Sequence, residues 1–162
     1  MLIVRLIFRN GLLNGQGTKT WQNGSIYQGE FKDGKRDGDW FGYYKNGQVG
    51  LIQKYNDGII DGKCTLYYRN GNIESEGEVK DGVNYGIWTD YFDSGQRWVE
   101  FQYIDTTGYM IIINSWDQDG NLILENGDGL YIDYYDNGEK YSQGIFVDGK
   151  PNGKWIYFDE NE

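Results

Sequence analysis

Among the side chains that most often carry catalysis, this chain has twenty-five carboxylates and one thiol but no imidazole. Without histidine, Ser-His-Asp and Cys-His nucleophile systems and the usual zinc sites fall away. The thiol, Cys64, stands in a slot that elsewhere holds tryptophan, so it reads as a small packing side chain. "DQDGN", residues 117 to 121, is similar to the start of a calcium loop. It lacks the third acidic ligand before the glycine and the closing glutamate, and reads as a turn. Asp33, Asp57, Asp81 and Asp148 each precede a glycine, where Asp has a backbone role. Glu30, Glu76, Glu78 and Glu100 are expected to face solvent. The reading is therefore no enzyme, no cofactor and no metal. What remains is aromatic: 17% of the residues are Phe, Trp or Tyr.

The elements that must position those rings are set out by glycine. Gly47, Gly58 and Gly71 are 11 and 13 residues apart, as are Gly71, Gly82 and Gly95; Gly138 and Gly149 repeat the 11. Gly24, Gly34 and Gly47 give 10 and 13, one short, and Glu162 stands where the next glycine would fall. A recurring 24-residue period signals repeat architecture. Asn23-Gly24, Asn46-Gly47, Asn70-Gly71, Ser94-Gly95 and Asn137-Gly138 close units. Asp33-Gly34, Asp57-Gly58, Asp81-Gly82 and Asp148-Gly149 sit mid-unit. Such dipeptides suit type I′ hairpin turns, which need positive φ at both central residues. Runs rich in Tyr, Trp, Phe and Ile between them have strand composition. Each unit is predicted to be one β-hairpin. The glycines are turn residues, and no Gly-rich phosphate-binding motif with its lysine is present.

Within each unit a glycine follows the Asp-Gly turn by four residues (Gly38, Gly62, Gly86, Gly153). Two residues on stand Trp40, Cys64, Trp88 and Trp155, then Tyr43, Tyr67, Tyr91 and Phe158, then Tyr44, Tyr68, Phe92 and Asp159. Stacked in register, these slots form ladders. Alternation along a strand puts Trp40 and Tyr44 on one face and Tyr43 on the other, unless a bulge at Gly42 intervenes. A single-layer sheet has little to cover both faces, so some rings are expected to stay exposed as interaction sites. Trp40, Tyr44, Tyr68, Trp88 and Phe92 are the expected partner-binding anchors; the rings also have a plain role as core.

The fold predicted is all-β: one elongated, twisted antiparallel sheet of stacked hairpins spanning residues 1–162 as a single domain. Units fall at about 23–46, 47–70, 71–94 and 138–161, with shorter units at 10–22 and 119–137. From 102 to 118 the pattern fails. That segment reads as an insertion keeping strand character, with a disrupted partner-binding edge as the alternative.

Net charge is −10 and the pI near 4.4. This argues against nucleic acid and anionic membrane surfaces, which need basic patches, and suits a basic protein partner. One cysteine excludes an intrachain disulfide. The apolar start "MLIVRLIFRNGLL" is short, broken by Arg5 and Arg9, and followed by no small-residue cleavage site. It does not read as a signal peptide, and no apolar run reaches membrane-spanning length. A cytoplasmic location is expected, or an exported one if a leader has been trimmed.

"YQGEFKDGKRDGDW", residues 27 to 40, resembles the MORN (membrane occupation and recognition nexus) repeat, with its Tyr-x-Gly-x-aromatic-x-x-Gly-x-x-x-Gly core at Tyr27, Gly29, Phe31, Gly34 and Gly38. "EGEVKDGVNYGIWTDYFDSG" and "QGIFVDGKPNGKWIYFDEN" look like the bacterial variety, in which Trp and paired aromatics precede Asn-Gly. The likeness covers about residues 23–95 and 126–162. The unit at 47–71 departs from it, lacking the first glycine and carrying Cys64 for Trp; 102–118 falls outside. The resemblance implies stacked hairpins and no catalysis. It also implies a binding role, most concretely an antitoxin- or immunity-like inhibitor of a protein partner. A structural or envelope-associated scaffold, and a glycan-binding or glycan-acting protein, are the alternatives.

Overall fold

The computed structural model describes residues 7–160, and every structural statement below concerns those residues. Residues 1–6 lie outside them, as does Glu162, so the reading of the N-terminal segment as no leader and the last mark of the period are not represented.

The chain is all-β, with fourteen antiparallel strands in one open sheet whose spatial order is the chain order. The strands are β1 (Ile7–Arg9), β2 (Leu12–Thr20), β3 (Ile26–Lys32), β4 (Lys35–Tyr43), β5 (Val49–Asn56), β6 (Ile59–Tyr67) and β7 (Ile73–Lys80). They continue with β8 (Val83–Tyr91), β9 (Arg97–Tyr103), β10 (Met110–Trp116), β11 (Leu122–Glu125), β12 (Asp128–Tyr134), β13 (Lys140–Val147) and β14 (Lys150–Tyr157). Stacked hairpins are thus the architecture. Residues 102–118 continue the meander as the end of β9, a loop at 104–109 and β10. Ile104 N–H donates to the Tyr109 carbonyl across that loop, and Asp105 accepts from Thr107.

The two kinds of turn are not alike. At Asp33-Gly34, Asp57-Gly58, Asp81-Gly82 and Asp148-Gly149 both residues have positive φ, as a type I′ turn demands. At Asn46-Gly47 and Asn70-Gly71 only the glycine does. There Gly47 N–H donates to the Tyr44 carbonyl and Tyr44 N–H to the Gln48 carbonyl. This is a three-residue loop, a type I turn closed by a left-handed glycine. Asn46 Oδ1 accepts from Gln48 N–H and fixes the turn through its side chain. The type I′ expectation therefore fails at the Asn-Gly turns, because the extra loop residue takes up the strand twist.

The turns at Gly47, Gly71, Gly95 and Gly138 are each followed by a bulge, whereas that at Gly24 is not. Gly42 pairs with Leu51 but Tyr43 with Val49, so the extra residue is Gly50 on β5, not Gly42. Glu74, Trp98 and Tyr141 are skipped in the same way in later units. Bulges increase twist and re-aim side chains, and their recurrence coils the sheet.

The core lies on one face of the sheet. Trp40 and Trp88 are 2% and 5% exposed, and each indole N–H donates at 3.0 Å to the carbonyl of Glu30 or Glu78. Each indole covers a glycine of the preceding strand, Gly29 or Gly77; a Cβ there would fall against the ring. Trp155 covers Gly144 likewise. Unit 47–71 exchanges the two partners' sizes. Gln53 stands where the glycine would be and pairs with Cys64, whose Sγ lies 3.7 Å from Gln53 Nε2. The missing glycine and the missing tryptophan are one compensated change.

Candidate functional site: the groove along the Asn-Gly edge

Coiling brings distant strands together at the edge that carries the Asn-Gly turns. On a flat sheet β9 and β12 would lie about 14 Å apart. Here Trp98 of β9 donates its indole N–H to the Ile132 carbonyl of β12 at 3.1 Å. Phe92 stacks on Trp98 with centroids 5.8 Å apart and meets Tyr134 edge-on at 5.3 Å.

Between these walls runs a cleft of about 660 Å³, lined chiefly by Tyr44, Tyr68, Phe92, Trp98, Tyr134 and Tyr135. A second hollow of about 460 Å³ shares Tyr44 and Arg69 with it and extends the groove to Asn23 and Ser25. Tyr44, Tyr68, Phe92 and Tyr135 each stand three residues before a turn glycine and occupy one structural slot. Tyr44 Oη donates to the Tyr67 carbonyl, Tyr68 Oη to that of Tyr91 and Tyr135 Oη to that of Phe158, so each tyrosine reaches the next hairpin. Phe92 has no hydroxyl to do so and packs on the bulge residue Trp98 instead. Tyr44 likewise lies against the bulge residue Gly50, and Tyr135 against Tyr141.

The charges are unevenly spread. Lys45 and Arg69 stand at one end, with the Arg69 guanidinium 5.6 Å from the Tyr44 ring centroid. Asp93 and Asp136 are exposed at the other. Burial pushes the Tyr68 phenol up to about 12, and the carboxylates of Glu74, Asp93, Asp90 and Asp136 add to the shift. Burial also raises Asp90 above the ordinary carboxylate range, against a hydrogen bond from Ser75 and with help from Glu74. An aromatic floor in a negative field stabilises cations placed over it.

Of the five expected anchors, Tyr44, Tyr68 and Phe92 line this groove. Trp40 and Trp88 do not. They are core, because each is held over a glycine by its own indole hydrogen bond, and neither presents a free ring. Trp98, Tyr134 and Tyr135 were not anticipated. Tyr135 shares the slot of Tyr44 and was open to the same spacing argument; Trp98 arrives only through its bulge and the coil. The "DQDGN" carboxylate of Asp117 accepts from the N–H groups of Asp119 and Asn121, as a turn residue does. Among the described residues no group of three or more His, Cys, Asp or Glu is placed to hold a metal. No helix among them is long and apolar enough to cross a membrane.

Stacked hairpins with a ring-lined groove along one edge define a repeat protein built to present a surface. The MORN repeat model matches residues 7–26, 27–38 and 143–154, and the MORN repeat variant matches 36–57, 60–81 and 127–148. Together these cover more than half of the chain, which is a MORN-repeat protein. The matches leave out 82–126, the stretch holding Phe92 and Trp98. No curated protein matches the chain. MORN repeats are generally associated with protein or membrane binding.

Proposed function

We propose that the protein is a non-catalytic module that binds a basic protein partner in the Asn-Gly-edge groove, as an antitoxin- or immunity-like inhibitor. The observation carrying this is the cleft in which Tyr68, Phe92, Trp98 and Tyr134 lie beside exposed Asp93 and Asp136. Clustered aromatic anchors supply affinity, while surrounding carboxylates mainly raise the association rate with a cationic partner. The net charge of −10 acts in the same direction.

The test begins with affinity purification of the full chain from its native host and reconstitution with the purified partner. Tyr68→Ala and Phe92→Ala variants that remain folded should lose about 1 kcal/mol or more of affinity. Binding should weaken as salt rises. The partner's own activity should fall when the complex forms. Binding indifferent to both variants and to salt would refute the reading.

The scaffold alternative is favoured by one feature. Ile145, Val147 and Ile156 are exposed on β13 and β14 on the face turned away from buried Ser142 and Phe146, as apolar side chains that a membrane or another protein could cover. Sedimentation with vesicles, lost on Ile145→Ser with Ile156→Ser, would support it. A glycan would use the same aromatic lining, but its affinity would ignore salt.

A further inference from the structure

The groove holds one aromatic seat that the chain fills itself and one that it leaves open. At two successive turns the residue after the aromatic slot reaches back to the turn before it. Lys45 lies against Gly24, its Cγ 3.1 Å from where a Cβ on that glycine would stand. Arg69 lies over Tyr44, its guanidinium carbon 5.6 Å from the ring centroid. The next residue in this series is Asp93, directly after Phe92. The repeat thus sets a carboxylate beside Tyr68 where one unit earlier it sets a guanidinium on Tyr44, and Asp93 and Tyr68 line the same cleft. Among the described residues no cation and no second ring lies over Tyr68, whereas Phe92 is stacked on Trp98 and Tyr135 is met by Tyr141. The open ring is held in place, since its hydroxyl donates at 2.7 Å to the Tyr91 carbonyl.

We propose that Tyr68, with Asp93 and Asp136, seats an arginine side chain of the partner, as Tyr44 seats Arg69. This rests on the protein-binding reading of the groove and names the side chain it takes. A cation over an aromatic face is attracted by the negative centre of the ring. Asp93 and Asp136 are exposed, line the cleft and form no ion pair among the described residues, so their charge is uncompensated. After burial, which is the larger cause, the carboxylates of Glu74, Asp93, Asp90 and Asp136 raise the Tyr68 phenol, so their field acts on this ring. A guanidinium suits the seat better than an ammonium. Its plane stacks on a ring, and its fork of donors can give a carboxylate two hydrogen bonds at once.

The experiment uses the full chain, with the ring resonances of Tyr44 and Tyr68 followed by nuclear magnetic resonance. The probes are N-acetylarginine amide, N-acetyllysine amide and N-acetylglutamine amide. They are titrated at low salt up to about 50 mM, because a single exposed cation–aromatic contact is weak. The arginine probe should shift the Tyr68 signals, leave those of Tyr44 in place, and bind at least about threefold more tightly than the lysine probe. The glutamine probe should shift neither ring. Asp93→Arg, at an exposed position, supplies the missing guanidinium from the chain itself and should weaken arginine binding at least about fivefold, with the denaturation midpoint confirming the fold. Arg69→Asp, also exposed, uncovers Tyr44 and should create a second seat, so that the Tyr44 signals now move as well. Tyr68 signals unmoved by arginine would overturn the proposal whole. Equal binding of the arginine and lysine probes would overturn the guanidinium assignment. Undiminished binding to folded Asp93→Arg, or Tyr44 signals unmoved in Arg69→Asp, would overturn the equivalence of the two seats. If Tyr68 ignores arginine while the native partner still loses affinity on Tyr68→Ala and Phe92→Ala, the binding function stands and this inference falls.

Discussion

The two long edges of the sheet hold the same stack together by different means. Along the Asp-Gly edge the link is backbone: the N–H groups of Gly34, Gly58 and Gly82 donate at 2.8 Å to the carbonyls of Leu13, Arg36 and Ile60 in the preceding hairpin. Along the Asn-Gly edge it is side chain: Tyr44 and Tyr68 hydroxyls, and the Asn70 and Asn72 amides on the Asp93 carbonyl, reach into the following hairpin. A backbone link tolerates almost any side chain but only one local conformation. A side-chain link tolerates conformational change but depends on which residue is present, and substituting it reshapes the surface. The groove lies on the second edge, where Phe92 gives up the hydroxyl link and Trp98 takes its place.

The largest effect should follow from attacking the backbone link. Gly82 has φ +83° and carries both the turn and the hydrogen bond to Ile60. A β-branched residue there is held in the left-handed region at a cost of about 2 kcal/mol. Gly82→Val should therefore lower the denaturation midpoint clearly, without touching the groove. A midpoint equal to that of the unaltered chain would mean that the Asp-Gly edge is not held by its turn conformation.

Tyr68→Phe removes one hydroxyl from the other edge and leaves the Tyr91 carbonyl without that donor. The expected loss is about 1 kcal/mol, near the ordinary worth of a single hydrogen bond. Partner binding should persist, because the ring remains. A variant as unstable as Gly82→Val would show the two edges to be equally dependent on a single link.

A smaller effect, of opposite sign, is expected at Asp90, whose charge acts on the Tyr68 phenol of the groove. Burial raises its folded pKa above the ordinary value. Between those two values the native state binds more protons than the unfolded state, so stability falls as pH rises through that window. Above the raised pKa the penalty is fully in place; it is relieved as pH falls through it. Asp90→Asn should stabilise the chain slightly at neutral pH, and its advantage over the unaltered chain should shrink as pH falls through the raised pKa. Denaturation midpoints of both chains across that range decide the point, and an advantage that grows as pH falls would contradict it.

These edges were unequally legible in the sequence. The Asp-Gly turns could be placed to the residue, because only a few residue pairs tolerate positive φ twice. The Asn-Gly turns could be placed but not typed. Their geometry depends on the loop between Tyr44 and Gln48, and dipeptide identity does not report it. The burial of Trp40 and Trp88 was readable in principle: Gly29, Gly77 and Gly144 stand eleven residues before Trp40, Trp88 and Trp155, and Gln53 eleven before Cys64. That offset is the cross-strand pairing of a large ring with the one residue that leaves room for it. The meeting of Trp98 with Ile132 was not readable, because it depends on coil accumulated over several bulged pairs, each contributing a small rotation.

The smallest effect belongs to an ion pair on the Asp-Gly edge. Lys35 Nζ lies 2.6 Å from Asp57 Oδ2, but the two side chains are 54% and 76% exposed. Water and salt screen such a pair, and holding the long lysine in place costs rotamer entropy, so its net worth is about 0.5 kcal/mol or less. Asp57 also sits at φ +50°, a conformation that asparagine accepts as readily. Asp57→Asn therefore removes the charge while leaving turn geometry and the Gly58 backbone hydrogen bond in place. Its midpoint should move by less than that of Tyr68→Phe, and the difference from the unaltered chain should vanish at high salt. A salt-independent loss as large as that of Gly82→Val would mean that the Asp-Gly edge also depends on side chains. The contrast between the two edges would then fail.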